Sequence, residues 1–129
     1  MKSVKLIKPT QAELEVLRVL WDKGAVTVRQ VHEELPREQE TAYTTTLKIM
    51  QNMLEKGLLS RDESSRTHIY KAKVQEETMQ KKLLGGFLST AFGGSAKNLV
   101  MQVLGSQETT QDELNEIKEL IAQIEGGVK

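Results

Sequence analysis

Apolar residues recur at steps of three and four over most of the chain, which predicts a largely helical protein. Three capping boxes of the form Thr-x-x-Glu or Thr-x-x-Gln mark helix starts at residues 10–13, 27–30 and 110–113. Gly24 is expected to end the first helix and Pro36 the second. The inward positions of these two helices are Leu14, Leu17, Trp21, Val28, Val31 and Leu35.

The third helix, predicted over residues 41–57, has two different faces. One face is expected in the core and carries Thr46, Ile49, Met50, Met53 and Leu54. The opposite face has hydroxyls, an amide, one cation and no carboxylate before Glu55, and it consists of Thr41, Thr44, Thr45, Lys48 and Gln51. Short polar side chains can approach phosphates or base edges, whereas phosphate repels a carboxylate. This face therefore predicts a DNA recognition helix, and the alternative is an ordinary solvated face, which more usually pairs Glu with Lys.

After Gly57 the hydrophobic period changes from that of a helix to that of a strand. Residues 59–61 and 67–70 alternate, and the polar segment 62–65 lies between them. Two short strands joined by a polar turn predict a β-hairpin. Three helices followed by a hairpin are the winged helix-turn-helix arrangement, which we assign to residues 1–74 as a DNA-binding domain.

The remaining residues, 75–129, are predicted to form three helices separated by Gly93-Gly94 and Gly105, with Ser95 capping the second of them. Three short helices cannot bury this much apolar surface within themselves, so a second copy of the chain is expected to cover it. The predicted dimer interface consists of Leu83, Phe87, Leu99, Val103, Leu114, Ile117, Ile121 and Ile124. The predicted fold class is mostly α with a small β-hairpin: an N-terminal winged helix and a C-terminal three-helix dimerisation domain.

Composition narrows the function classes. The chain has 38% hydrophobic and 28% charged residues, and no apolar run long enough to cross a membrane, so we expect a soluble cytoplasmic protein. It has no cysteine and two separated histidines, which argues against a metal site, and no motif pairs a nucleophile with a base, so neither a cofactor nor an enzyme is expected. Residues 1–74 carry 13 Lys and Arg against 10 Asp and Glu, and residues 75–129 carry 5 against 8. This asymmetry fits a DNA-binding domain joined to a protein-contact domain.

Further candidate DNA contacts lie outside the third helix. Thr27 and Arg29 open the second helix, whose first amides can hold a phosphate, although Arg29 can equally be a plain surface charge. Tyr43 either reaches the DNA backbone or packs against the first helix. In the hairpin the candidates are Arg61, Arg66 and His68, of which Arg66 is best placed because it directly follows the turn.

Several of these motifs together resemble the BlaI/MecI family of penicillinase-type repressors. The resemblance rests mainly on Ala42–Thr45, placed ten residues before Glu55–Gly57, and on Phe92–Ser95 followed by Leu99-Val100. It runs from about Gln11 to Ile124. It implies a dimeric repressor bound to a palindromic double-stranded DNA operator, with one recognition helix per half-site, which leaves the DNA on induction.

The chain also departs from this family. Thr46, Lys48 and Asn52 replace the Val, Thr and Arg common in the family's recognition helix, so the operator sequence is left open. The Asn-Phe step at which a sensor protease cuts penicillinase-type members aligns with Gln102-Val103, and the cysteine cluster of the copper-responsive branch is missing. Induction by proteolysis, by a ligand or by another partner therefore stays open, as do the target genes. The competing function is a winged helix that binds protein, which would show acidic or large apolar residues on the exposed third-helix face.

Overall fold

The computed structural model describes residues 8–36, 41–106 and 108–127. Within these ranges the chain forms six helices and one antiparallel hairpin, which confirms the predicted fold class. Residues 1–7 and the charged connection 37–40 lie outside the described part. The elements are α1 Gln11–Lys23, α2 Val28–Glu34, α3 Tyr43–Lys56, β1 Leu59–Asp62, β2 Ile69–Ala72, α4 Glu76–Phe92, α5 Ala96–Leu104 and α6 Gln111–Gly127.

All three predicted capping boxes are present and begin α1, α2 and α6. At α1 the Thr10 hydroxyl accepts a hydrogen bond from the Glu13 amide at 3.1 Å, and the Glu13 carboxylate accepts one from the Thr10 amide at 3.0 Å. Thr27 and Gln30 form the same pair of bonds at α2, with distances of 3.1 and 2.9 Å. Each box satisfies amides that the first helical turn leaves without a partner.

The hairpin pairs Leu59 with Ala72 and Asp62 with Ile69. The prediction that its second strand spans 67–70 is wrong by two residues, because the turn takes up residues 63–68 before pairing begins. On its other edge, Tyr70 exchanges both backbone hydrogen bonds with Val26, at 2.8 and 3.0 Å. This isolated bridge ties the connection between α1 and α2 to the second strand of the hairpin.

The core of the winged helix lies where α1, α2, α3 and the hairpin meet. Its buried apolar residues are Val16, Leu17, Leu20, Val28, Val31, Met50, Met53, Leu58, Leu59, Tyr70 and Met79. Trp21 is half-buried, and its indole Nε1 donates a hydrogen bond to the backbone oxygen of Val74 at 3.0 Å. The prediction that Trp21 packs in the core is confirmed, and its indole fastens α1 to the segment that follows the wing.

The chain separates into two compact units, one of residues 1–83 and one of residues 84–129. The beginning of α4 belongs to the first unit, since Met79 is 1% exposed in its core and Leu83 packs against the same cluster. The functional division between residues 74 and 75 stays a prediction. None of the described helices is long and apolar enough to cross a membrane.

The second unit leaves much of its apolar surface open. Phe87 is 55% and Ile124 56% exposed, and the other large exposed apolar residues there are Leu84, Val100, Met101, Val103, Leu120 and Ile121. Three more of the residues predicted at the interface are half-buried, namely Leu99, Leu114 and Ile117. Within α4 the rings of Phe87 and Phe92 meet edge to face, with centroids 5.6 Å apart.

Candidate nucleic-acid interface

The polar face of α3 is exposed as its spacing predicts. Thr44, Thr45, Lys48 and Gln51 are all exposed, while Thr46 on the opposite side is fully buried. The helix begins two residues later than predicted, at Tyr43, because the Ala42 carbonyl accepts the first hydrogen bonds, from Thr45 and Thr46 at 3.0 and 3.3 Å. Placing Thr41 on the helical face is therefore wrong. It precedes the helix as an exposed residue, and a DNA contact from there stays a prediction.

Lys48 is the cation of this face. Its side chain is exposed, and no ion pair or hydrogen bond to it is found in the described part of the chain. The first carboxylate of α3 is Glu55, about two turns further on. An ammonium group without a carboxylate partner is available to a phosphate.

A chain of side-chain contacts joins α2 to the start of α3. These contacts involve Arg29 and His32 of α2 and Tyr43 and Thr46 of α3. The His32 Nδ1 and the Thr46 hydroxyl are 2.8 Å apart, the His32 and Tyr43 rings meet edge to face at 5.7 Å, and the Arg29 guanidinium lies 4.6 Å from the centre of the Tyr43 ring. These ring contacts of Tyr43 are with α2 and not with α1, which was the predicted alternative to a DNA contact.

Thr27 acts as the cap of α2. Its hydroxyl accepts a hydrogen bond from the Gln30 amide and donates one to the Gln30 side-chain oxygen at 3.2 Å. The predicted DNA contact of Thr27 would therefore have to coexist with both capping bonds. A contact from the neighbouring Arg29 faces no such competition, since the described residues give it no ion pair.

In the wing, the three predicted candidates differ in availability. Arg61 donates to Glu63 at 2.7 Å and to the Tyr70 hydroxyl at 3.1 Å, and the hydrogen bond to Tyr70, followed by that to Glu63, raises the pKa of its guanidinium. N–H donors of Arg61 are therefore already used in hydrogen bonds within the hairpin. Arg66 is exposed and has no such partner among the described residues, and His68 is half-buried. Of the three, Arg66 is the cation whose predicted DNA contact meets no competition from the described residues.

One functional support was missed by the sequence reading: the Lys56 ammonium donates to the buried Glu13 carboxylate at 2.6 Å. This bond joins the end of α3 to the start of α1. Burial alone would raise the pKa of Glu13, but the hydrogen bond from Lys56 and those from Thr10 outweigh it and lower the pKa. The two residues are 43 positions apart, and nothing in the capping-box pattern signals the second partner.

The described residues contain no group of three or more His, Asp or Glu side chains arranged to hold a metal ion. A groove of about 630 Å³ lies between α1, the end of α2 and the start of α4. Its two cations are each paired with a carboxylate, Arg18 with Glu76 at 3.5 Å and Lys23 with Asp22 at 3.8 Å. The exposed face of α3, in contrast, carries a cation that is not paired with a carboxylate of the described residues, so it is the candidate surface for an anionic ligand.

Comparison with known proteins shows the family of the chain. The model of the penicillinase repressor family matches residues 9–123, almost the whole chain. The chain belongs to the penicillinase repressor family. The family predicted from the sequence is thus confirmed, and so is the winged-helix class of its N-terminal part.

Individual relatives of this penicillinase repressor family member are distant but align over nearly their full length. The penicillinase repressor of Staphylococcus aureus is 22% identical over 93% of this chain and 95% of its own. The transcriptional regulator BlaI of Mycobacterium tuberculosis is 27% identical over 95% of this chain and 89% of its own. The solution structure of monomeric Bacillus licheniformis BlaI in complex with the blaP half-operator superposes with a TM-score of 0.47 at 26% identity, covering 60% of this chain and 92% of that one.

Proposed function

We propose that this protein represses transcription as a dimer on a palindromic operator, with α3 of each copy entering the major groove of one half-site. Membership of the penicillinase repressor family makes the chain a DNA-binding transcriptional repressor. The dimer, the palindrome and the contact residues are the proposal. The observation that carries it is the exposed α3 face, on which Thr44, Thr45 and Lys48 stand without a neighbouring carboxylate.

The side chains of this face divide by chemistry. Lys48 and, in the wing, Arg66 carry unpaired charges and are assigned to phosphates, which fix position and make binding depend on salt. Thr44, Thr45 and Gln51 are short or planar hydrogen-bonding groups and are assigned to base edges, where a Gln amide matches adenine. Binding to chromosomal DNA requires a cytoplasmic location, which is part of the proposal.

The dimer is supported by the open apolar surface of the second unit. Isolated soluble chains rarely expose this many large apolar side chains, and Phe87 and Ile124 are each more than half exposed. Pairing two copies also joins two half-site contacts into one bivalent binder, which gains affinity without any new contact to DNA. Leu83 belongs to the predicted interface but is already partly covered by the core of the first unit, so a second copy would bury less additional surface there.

The DNA-binding face is tested by fluorescence anisotropy of the full-length protein on a duplex taken from immediately upstream of its own gene, over a salt series. We expect the Lys48→Ala, Thr44→Ala double variant to bind more weakly, with a log–log salt slope shallower by about one per protomer. Lys97→Ala, which removes an exposed charge from α5, is the matched control and should change neither value. If the two variants have the same affinity and the same salt slope, α3 is not the contact surface.

The dimer is tested separately by sedimentation equilibrium. Ile121→Glu combined with Ile124→Glu places charges in the exposed apolar surface and should yield a monomer, with operator affinity about 100-fold lower or worse because bivalency is lost. Gln123→Glu adds a charge to an exposed position of the same helix and should leave the dimer intact. A dimeric mass for the double Ile variant would place the interface elsewhere.

The competing winged helix that binds protein is not favoured. On α3 the exposed residues from Thr44 to Asn52 are all small and polar or cationic, and none is acidic or large and apolar. A sensor protease is not part of the proposal either. The step that aligns with its cleavage site, Gln102-Val103, differs in sequence and lies inside α5.

A further inference from the structure

We infer that the Tyr43 ring is a positioning device that holds the Arg29 guanidinium at the DNA-facing start of α2 and α3, where it contacts a backbone phosphate. The inference rests on the proposed DNA binding and assigns Tyr43 a different task from direct contact. In this assignment Arg29 touches DNA, and Tyr43 acts only through Arg29.

A series of side-chain contacts connects the buried core to the Tyr43 ring. Thr46 is fully buried, and its hydroxyl lies 2.8 Å from the His32 Nδ1, which fixes the orientation of the imidazole. The His32 ring in turn meets the Tyr43 ring edge to face at 5.7 Å. The half-buried Tyr43 ring is therefore supported on its inner side by a side chain that is itself anchored in the core.

The outer partner of the ring is Arg29. A guanidinium within about 6 Å of an aromatic centroid is attracted to the ring face, and the Arg29 distance is 4.6 Å. Arginine has many rotamers, so holding it in one place before binding lowers the ordering cost of a phosphate contact. A guanidinium attracted to a ring face makes no hydrogen bond to it, so the N–H donors of Arg29 stay available for phosphate oxygens.

The charge of Arg29 has no competing partner in the part of the chain that the structure describes. Arg29 is exposed, and neither an ion pair nor a hydrogen bond of its side chain is found among the described residues. The Tyr43 hydroxyl likewise makes no hydrogen bond there. A direct contact from that hydroxyl to phosphate is therefore the competing role for Tyr43, and it can be separated from the ring's role by experiment.

Three single variants and one double variant of the full-length protein separate the two roles of Tyr43. Their DNA affinity is measured by fluorescence anisotropy on the upstream duplex over a salt series. Tyr43→Phe keeps the ring and removes the hydroxyl, and we expect wild-type affinity and slope. Tyr43→Leu keeps an apolar side chain but removes the ring, and we expect affinity two- to five-fold lower per protomer, the factor typical of an exposed cation–π contact. Arg29→Ala should bind at least as weakly as Tyr43→Leu, with a slope shallower by about one per protomer.

The double variant Arg29→Ala with Tyr43→Leu decides whether Tyr43 acts through Arg29. If it does, the double variant binds no more weakly than Arg29→Ala alone. Additive losses would overturn the inference, as would a Tyr43→Phe protein as weak as Tyr43→Leu, because then the hydroxyl is the contact. Unchanged binding of Arg29→Ala would overturn it too.

Two controls keep these outcomes distinct from other failures. Thermal unfolding followed by Trp21 fluorescence shows whether Tyr43→Leu folds as the wild type does; if it does not, the Tyr43→Phe and Arg29→Ala pair still tests the inference. Lys48→Ala reports on the proposed function independently. If wild-type protein binds DNA and Lys48→Ala weakens it while Arg29→Ala does not, DNA binding by α3 stands and the inference alone is wrong.

Discussion

The bond between Glu13 and Lys56 connects α3 to α1, and breaking it should lower the free energy of unfolding of the winged helix. The Glu13 side chain is 7% exposed and that of Lys56 35% exposed, so the pair is buried on one side only. Lys56→Met removes the ammonium but keeps the apolar stem. The Glu13 carboxylate then retains its hydrogen bond from the Thr10 amide, at 3.0 Å.

The magnitude follows from this geometry. Losing a hydrogen bond to a charged group costs about 1.5–3 kcal/mol, and breaking a fully buried ion pair about 3–5 kcal/mol. Because water reaches Lys56, we expect about 2 kcal/mol for Lys56→Met. That corresponds to a fall in the melting temperature of roughly 8–16 °C for a unit of this size. Glu13→Gln keeps a capping box and leaves Lys56 partly solvated, so its cost should be smaller, about 1 kcal/mol.

The assay is urea unfolding followed by the fluorescence of Trp21, the only tryptophan of the chain, which lies in the first unit. A double-mutant cycle of Glu13→Gln and Lys56→Met should return a coupling free energy of about 1–2 kcal/mol at pH 7. Additive single effects, or a Lys56→Met protein as stable as the wild type, would refute the reasoning.

The pH dependence of the same pair has a defined sign. The pKa of Glu13 is lower in the folded than in the unfolded protein, so the unfolded chain binds more protons on acidification. The stability that the pair contributes is therefore fully present above the unfolded pKa of a glutamate, about 4.3, and is lost as the pH falls through the lower folded pKa. The wild-type advantage over Glu13→Gln should be constant from pH 6 to 8 and shrink below about pH 4.

Three further predictions test other contacts. Trp21→Phe removes the indole hydrogen bond and should lower the free energy of unfolding by about 1 kcal/mol, measured by circular dichroism. Met79→Ala should cost about 2–5 kcal/mol in the Trp21-reported transition although Met79 lies in α4, whereas Met101→Ala, at an exposed site, should cost far less; equal costs would contradict the observed core. Arg66→Ala should make the salt slope of DNA binding shallower, while Arg61→Ala should chiefly lower the melting temperature; the reverse result would show that the wing contacts DNA through Arg61.

Local signals in the sequence predicted the elements well, because each such signal is complete within a few residues. Thr10, Thr27 and Thr110 each begin a capping box whose partner is three positions away, and all three boxes are present. The start of α3 was less accurate because its cap, Ala42, has no side-chain hydrogen bond and so leaves no mark in the sequence. The second strand was misplaced because its register is selected by pairing with Val26 and β1, and neither partner is adjacent to it in the sequence.

The candidate site was predictable in part for the same reason. The exposed face of α3 follows from spacing, so Thr44, Thr45 and Lys48 could be named in advance. Whether a cation is free depends on what folds next to it, and the sequence does not show that Glu63 and Tyr70 occupy Arg61. Nor does it show that Tyr43 meets Arg29 and His32, since those contacts depend on how α2 crosses α3.

The capping box of α2 has the hydrogen bonds of the other two boxes but carries no negative charge. The boxes of α1 and α6 end in Glu13 and Glu113, but that of α2 ends in Gln30, which makes the same backbone bonds without a negative charge. A carboxylate there would favour the helix dipole yet repel an approaching polyanion. Gln30→Glu should therefore hold or raise the melting temperature while weakening DNA binding, most at low salt. At the start of α2 the chain thus forgoes a stabilising charge, and a variant that restores the charge should gain stability at the expense of DNA affinity.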